Sequence, residues 1–185
     1  NLSVDGIQPQ FTSPVYVNKT DRQLITLEGE TLNFKSMDWK GEWMHAYVYI
    51  DYNKDGEFNQ TNELVSYNFY SSNSSSTGVN SKGTTVQNNC GVTASNIPSW
   101  RIPVDLPEGT YRLRLKIDWN NKDACGSTQQ NNDIATNGGC ICDMSIYVKP
   151  AYTVSVSSTT GGSATTSLNS VESNGSVTLT ATPFS

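Results

Sequence analysis

The stretch "YIDYNKDGEFNQTNE", residues 49–63, places Asp51, Asn53 and Asp55 at alternating positions, Gly56 directly after them, and Glu63 near its close. Oxygen donors at positions 1, 3 and 5 of a loop can turn toward one centre, and a glycine at position 6 permits the sharp bend. That is the donor chemistry of calcium, a hard cation that takes six to eight oxygens. An EF-hand would put a bidentate Glu at position 12, where this chain has Asn62 and only then Glu63. The flanks "MHAYVYI" and "LVSYNFY" are also β-rich rather than helical. The motif is therefore read as a calcium loop between two strands, with Asp51, Asn53, Asp55 and Glu63 as ligands and a structural rather than catalytic role. The competing reading is a solvated acidic turn, because Asn, Asp and Gly are also what any turn prefers.

Other residues with chemical potential are fewer. His45, the single histidine, lies in a strand among aromatics and reads as a packed residue. Asp118 and Asp143 each end a predicted strand. Side by side they would resemble the paired carboxylates of glycoside hydrolysis, which stand ~5–9.5 Å apart across a cleft, or they could join the calcium shell or cap loops. No nucleophile-elbow pattern accompanies them, and no catalytic residue is assigned. Trp39, Trp43, Trp100 and Trp119 fall near predicted strand ends with polar neighbours in "MDWKGEW", "PSWR" and "DWNN". Flat rings flanked by amide and carboxylate groups suit sugar recognition, and Trp119, Asn120, Trp100 and Trp39 are the candidate glycan contacts. Core or edge packing is the plainer alternative for each.

Cys90, Cys125, Cys140 and Cys142 are compatible with two disulfides and an oxidising compartment. Zinc is disfavoured, since Cys140-x-Cys142 is too tight and His45 is distant in sequence. Cys140 and Cys142 share one strand face, which argues against a bond between those two; the pairing stays open. The net charge of −5 argues against nucleic acid, which requires clustered Lys and Arg. Arg101, Arg112, Arg114 and Lys116 approach such a cluster but alternate with Leu and Ile, as an exposed strand face would. No apolar run approaches the ~20 residues that span a bilayer. The opening "NLSVDG" reads like the interior of a larger protein.

The elements that must hold these residues are strands. Period-two alternation dominates, without a 3.6-residue apolar stripe. "QLITLEGETLNF" reads as a hairpin about Gly29, and "EWMHAYVYID" as a central strand apolar on both faces. "SWRIPVDLPEGTYRLRLKIDW" reads as strand, turn, strand, with Tyr111, Leu113, Leu115 and Ile117 on the buried side. "CICDMSIYV" is the closing strand. Residues 71–99 form a long polar loop or flexible hairpin, and 120–139 a second loop. The expected fold is all-β: an antiparallel β-sandwich over residues 1–149, then a small truncated β-module over 150–185, with the boundary near Pro150.

"VYIDYNKDGEF", then "GTYRLRLKIDW", a Cys-Gly in a loop and "GGCICDMSIYV" together resemble the GEVED domain of secreted bacterial proteins, over roughly residues 23–149. Gly139, Ile141 and Asp143 fall at the Gly, Val and Asp places of the motif for which that family is named. Cys140 and Cys142 occupy its two Glu places, which suggests cross-linking there. The tail, from "YTVSVSSTTGGSA" to "GSVTLTATPFS", is similar to the start of InlB-type B-repeats of bacterial surface proteins. The resemblances imply a Bacteroidetes-like protein that is extracellular, at the cell surface or periplasmic. The function they imply is a non-catalytic accessory module, stabilised by calcium, that binds glycan or positions a neighbouring catalytic domain of the same chain. The alternatives are a structural or adhesive spacer, and a piece of a hydrolase that lends loops to its active site.

Overall fold

The computed structural model describes residues 2–3, 15–34, 45–69, 78–86, 97–118, 122–126, 128–129 and 132–184. It is all-β with no helix among them, as the alternation predicts. The strands in chain order are β1 (Leu2–Ser3), β2 (Tyr16–Leu27), β3 (Thr31–Asn33), β4 (His45–Asp51), β5 (Leu64–Phe69), β6 (Gly78–Asn80), β7 (Thr85–Val86) and β8 (Trp100–Arg101). They continue with β9 (Gly109–Asp118), β10 (Thr128–Gln129), β11 (Asn132–Asp133), β12 (Cys140–Lys149), β13 (Tyr152–Thr153), β14 (Gly162–Thr166), β15 (Ser170–Val171) and β16 (Leu179–Pro183).

The main sheet has seven strands in the order β2-β12-β9-β4-β5-β6-β7, and a smaller sheet has the order β1-β3-β8. The sandwich core lies between them. Ala46, Val48 and Ile50 of β4, Leu113, Leu115 and Ile117 of β9, and Met144, Ile146 and Val148 of β12 project from one face. Leu32, Phe34, Ile97 and Ile102 meet them from the smaller sheet and its flanks. Period-two alternation puts every second residue of each strand on this face. Tyr111 fixes the entry of β9: its hydroxyl donates to the Pro107 carbonyl at 2.6 Å, four residues upstream.

The expected β-sandwich is present, and most of its pairings are antiparallel; β2 runs parallel to β12 and β1 parallel to β3. One expectation needs correction. Gly29 does not turn a hairpin. At φ +76° it marks the corner where the chain leaves β2 in the main sheet and enters β3 in the smaller one. The Pro107–Gly109 segment likewise joins β8 and β9 across sheets rather than within one. Of the polar 71–99 segment, residues 78–86 form an edge hairpin, β6–β7, whose Asn80 Oδ1 accepts from the Lys82 and Thr84 amides.

Beyond Pro150 lie two pairs, β13–β15 and β14–β16, and no residue of 150–184 is buried. This segment has no core of its own. It is tied to the sandwich by Lys149 Nζ against Glu172 Oε2 at 2.5 Å and by the Ala151 amide donating to Glu28 Oε1 at 3.0 Å.

Candidate functional site

β4 ends at Asp51 and β5 begins at Leu64, so the acidic loop bridges two neighbouring antiparallel strands. Its carboxylates are divided between solvent and interior. Asp51 and Glu63 are buried, while Asn53 and Asp55 are exposed. Glu63 organises the loop by accepting backbone amides: Tyr52 N–H at 2.9 Å on Oε1, and Asn59 N–H at 2.8 Å on Oε2. Asn53 Oδ1 accepts the Asp55 amide at 3.0 Å, and Asp55 Oδ1 accepts that of Glu57 at 2.8 Å. These are the Asx turns that short polar side chains favour. Lys54 and Gly56 take left-handed backbone at φ +61° and +85°, which turns the Gly56 amide onto Asp51 Oδ2 at 3.1 Å.

The other oxygen, Asp51 Oδ1, is buried and has no hydrogen-bond partner among the described residues. A desolvated carboxylate oxygen left in that state is costly unless something positive meets it. The donor set of the loop is all oxygen, which fits a hard cation rather than zinc. Among the described residues no three His, Cys, Asp or Glu side chains already converge at metal-ligating distance. Glu63 in particular is turned to amides.

The second concentration of charge lies on the opposite face of the main sheet from the sandwich core. Arg112, Arg114, Lys116 and Asp118 of β9 point that way, and the expectation of an exposed strand face holds for Arg112, as it does for Arg101 on β8, but not for Arg114 or Lys116. The Arg114 side chain is 14% exposed and that of Lys116 is 0% exposed. Residues 122–126 cover them, with Ala124 packed on Tyr47 and Tyr49. Arg114 holds Asp143 of β12 in a bidentate pair at 2.7 and 2.8 Å, donates to the Ala124 carbonyl at 3.0 Å, and lies 4.4 Å from the centre of the Phe58 ring. Tyr16 donates its hydroxyl to the same carboxylate at 3.0 Å.

Lys116 Nζ donates to the Asp123 carbonyl at 2.5 Å and stands 3.7 Å from Asp118 Oδ2 and 3.9 Å from Asp123 Oδ1. Burial pushes its pKa down, against the pull of Asp123 and Asp118. Burial also raises the pKa values of Tyr47 and Tyr49 on the same face. The Tyr49 hydroxyl donates to the Lys122 carbonyl, whereas the buried Tyr47 hydroxyl has no hydrogen-bond partner among the described residues.

Asp118 and Asp143 are therefore not a catalytic pair. Gly139 stands across from Asp118, one step beyond the Cys140–Ile117 pairing, so the two carboxylates lie four strand positions apart. At ~3.4 Å per residue that is ~14 Å, beyond the ~9.5 Å limit for two carboxylates acting on one glycosidic bond. Each is also engaged by its own cation.

The remaining candidates are scattered. Trp39, Trp119 and Asn120 lie outside the described residues, as do Trp43 and Cys90. Trp100 is half-buried against the sandwich core, its ring 6.1 Å from that of Tyr52. Cys125, Cys140 and Cys142 are free thiols, so the two-disulfide expectation is not met among them. Cys140 and Cys142 instead act as small apolar core residues on alternate positions of β12. Burial raises their pKa values to about 12 and about 11. The suggested cross-linking at the two motif positions gives way to packing. The covered polar face was missed by sequence reading; the one available signal was "RLRLKID" opposite a strand apolar on both sides.

Fold and site define an all-β domain whose mixed main sheet carries an acidic loop between two central strands. The chain belongs to the GEVED domain family, whose model matches residues 45–138, from the first residue of β4 to the turn before β12. GEVED domains are accessory modules. The match is narrower than the likeness drawn over 23–149, and it stops one residue short of the Gly139–Asp143 motif. No curated protein and no solved structure matches the chain.

Proposed function

We propose that the chain is a non-catalytic accessory module of a secreted or cell-surface bacterial protein. It positions a neighbouring domain of the same chain, and a structural calcium ion pins its 51–63 loop. The observation that carries the reading is Asp51 Oδ1, a buried carboxylate oxygen without a partner among the described residues, inside an all-oxygen loop. Asp51 would supply the first ligand, with Asn53 and Asp55 beside it and Glu63 through its remaining lone pairs. Calcium there would offset the desolvated charge and tie the end of β4 to the start of β5. The family supports an accessory role, and the separation of Asp118 from Asp143 removes the one catalytic pair that the sequence suggested.

Thermal unfolding in calcium and in chelator tests the reading. Extracellular modules bind calcium with a Kd of ~10⁻⁴–10⁻³ M. A hundredfold excess over Kd adds about 2.7 kcal/mol, which raises Tm by roughly 5–11 °C for a chain of this size. Asp51→Ala removes the difference. A Tm indifferent to calcium and chelator in the unmodified chain would return the loop to an acidic turn.

A glycan-binding role is a second reading, favoured by one feature. Trp100 lines a cleft of about 310 Å³ with Thr31, Ser81, Lys82, Ser99 and Arg101, which joins an aromatic face to several hydrogen-bonding groups. Binding across a glycan array that disappears in Trp100→Ala supports it, and a blank array favours the positioning role alone.

A further inference from the structure

We propose that Lys116 and Asp123 join in an intramolecular isopeptide bond, with Asp118 moving the proton between them. The site is a lysine amine enclosed on the covered face of the main sheet, within 4 Å of two carboxylates. Lys116 and Asp118 side chains are fully buried and that of Asp123 is 33% exposed. Nζ is held in place by the Asp123 carbonyl and lies 5.2 Å from the centre of the Tyr47 ring.

Of the two carboxylates, Asp123 is the acyl partner. Asp118 sits two residues from Lys116 on the same strand, where both side chains stand out from the sheet side by side, and its Oδ1 accepts from Asn137 Nδ2 at 3.3 Å. Asp123 belongs to the segment that lies over that face, so its carboxyl carbon approaches the amine from above. Desolvation favours the free-amine form of Lys116, which is the nucleophilic one.

The balance closes without a co-reactant. Asp118 takes one proton from the Lys116 ammonium, and the nitrogen lone pair attacks Cγ of Asp123. The Nζ–Cγ bond forms and one Cγ–O bond breaks. The departing oxygen leaves as water, carrying the proton returned by Asp118 and a second proton from the nitrogen. An ammonium and a carboxylate become a neutral amide, so the interior loses two charges whose burial is costly. The bond would lock residues 122–126 over Tyr47 and Tyr49, closing the polar face permanently.

Intact mass spectrometry of the full chain, denatured and reduced, reads the result. The expected mass is one water below that of the sequence, with a branched proteolytic fragment joining Lys116 to Asp123. Lys116→Arg restores the full sequence mass, and Asp118→Asn slows bond formation about a hundredfold or more. An unmodified mass in folded protein overturns the proposal. A deficit of one ammonia would move the acyl partner to an asparagine and overturn the assignment of Asp123. A one-water deficit that survives Lys116→Arg would identify a cyclic imide at an aspartate instead.

Discussion

Asp143→Asn is the most informative single change to the covered face. It keeps the size of the side chain and removes the charge that faces Arg114. The wild-type carboxylate is fully buried and the guanidinium 14% exposed, joined by two short bonds. Removing one partner of a buried pair costs about 3–5 kcal/mol, because the other charge stays behind without compensation. Arg114 retains the Ala124 carbonyl, the Phe58 ring and a little solvent, so the low end applies, about 3 kcal/mol. Against a total stability of about 5–15 kcal/mol this is a large share. Urea unfolding followed by circular dichroism should show a lower midpoint with an unchanged slope, and Tm should fall by roughly 6–12 °C. A double-mutant cycle with Arg114→Met separates the pair from its surroundings. The double variant should be less destabilised than the sum of the singles by about 1–3 kcal/mol. A loss below about 1 kcal/mol in Asp143→Asn, or strict additivity in the cycle, would refute the claim that this ion pair anchors β12 to β9.

Three further outcomes follow from burial and backbone geometry. In native protein a thiol reagent should label Cys125 quickly and spare Cys140 and Cys142, whose pKa values of about 12 and about 11 leave almost no thiolate at neutral pH; fast labelling of either would contradict the core assignment. Tyr47, Tyr49 and Tyr52 have folded pKa values raised above the ordinary value of 10.0, chiefly by burial. The stability this contributes is complete below pH ~10 and is lost as pH rises further, so tyrosinate absorbance from these rings should appear only together with alkaline unfolding. Gly139→Ala should be the costlier of two glycine substitutions in urea melts. Its new Cβ would lie 2.5 Å from the Ile117 carbonyl, an overpacking cost of about 1–3 kcal/mol or more. Gly56→Ala meets open space and pays only for its positive φ, about 1 kcal/mol. The reverse order would refute the packing at the start of β12.

Strand identity was legible because alternation is a local property. Tyr111, Leu113, Leu115 and Ile117 were readable as one buried face without knowing what covered them, and all four are buried. Strand pairing was less legible. Gly29 and the Pro107–Gly109 segment carry ordinary turn residues, and such residues do not specify whether the next strand returns to the same sheet or crosses to another. The acidic loop was legible in composition, but the division of its carboxylates was not. The strand phase puts Asp51 on the face of Tyr47 and Tyr49, and only the folded loop shows Glu63 spending its oxygens on amides while Asp51 Oδ1 meets no partner among the described residues.

The hardest part was the covered polar face, and the reason is energetic rather than statistical. A Lys or Arg on the alternate positions of a strand is nearly always solvated, since burying an unpaired charge is so unfavourable. "RLRLKID" therefore reads as one wet face until its partners are known, and those partners come from elsewhere: Asp143 from β12, and Asp123 from a loop. The clue lay in β4, whose seven residues are all buried. A strand whose Tyr47 and Tyr49 must leave water requires cover on that side. Its neighbour β9 shares the same cover, so the charges of β9 have to be matched by whatever supplies it. The segment over 122–126 supplies both at once, with Ala124 for the rings and Asp123 for the amine, which is why a change in that segment should unsettle β4 and β9 together.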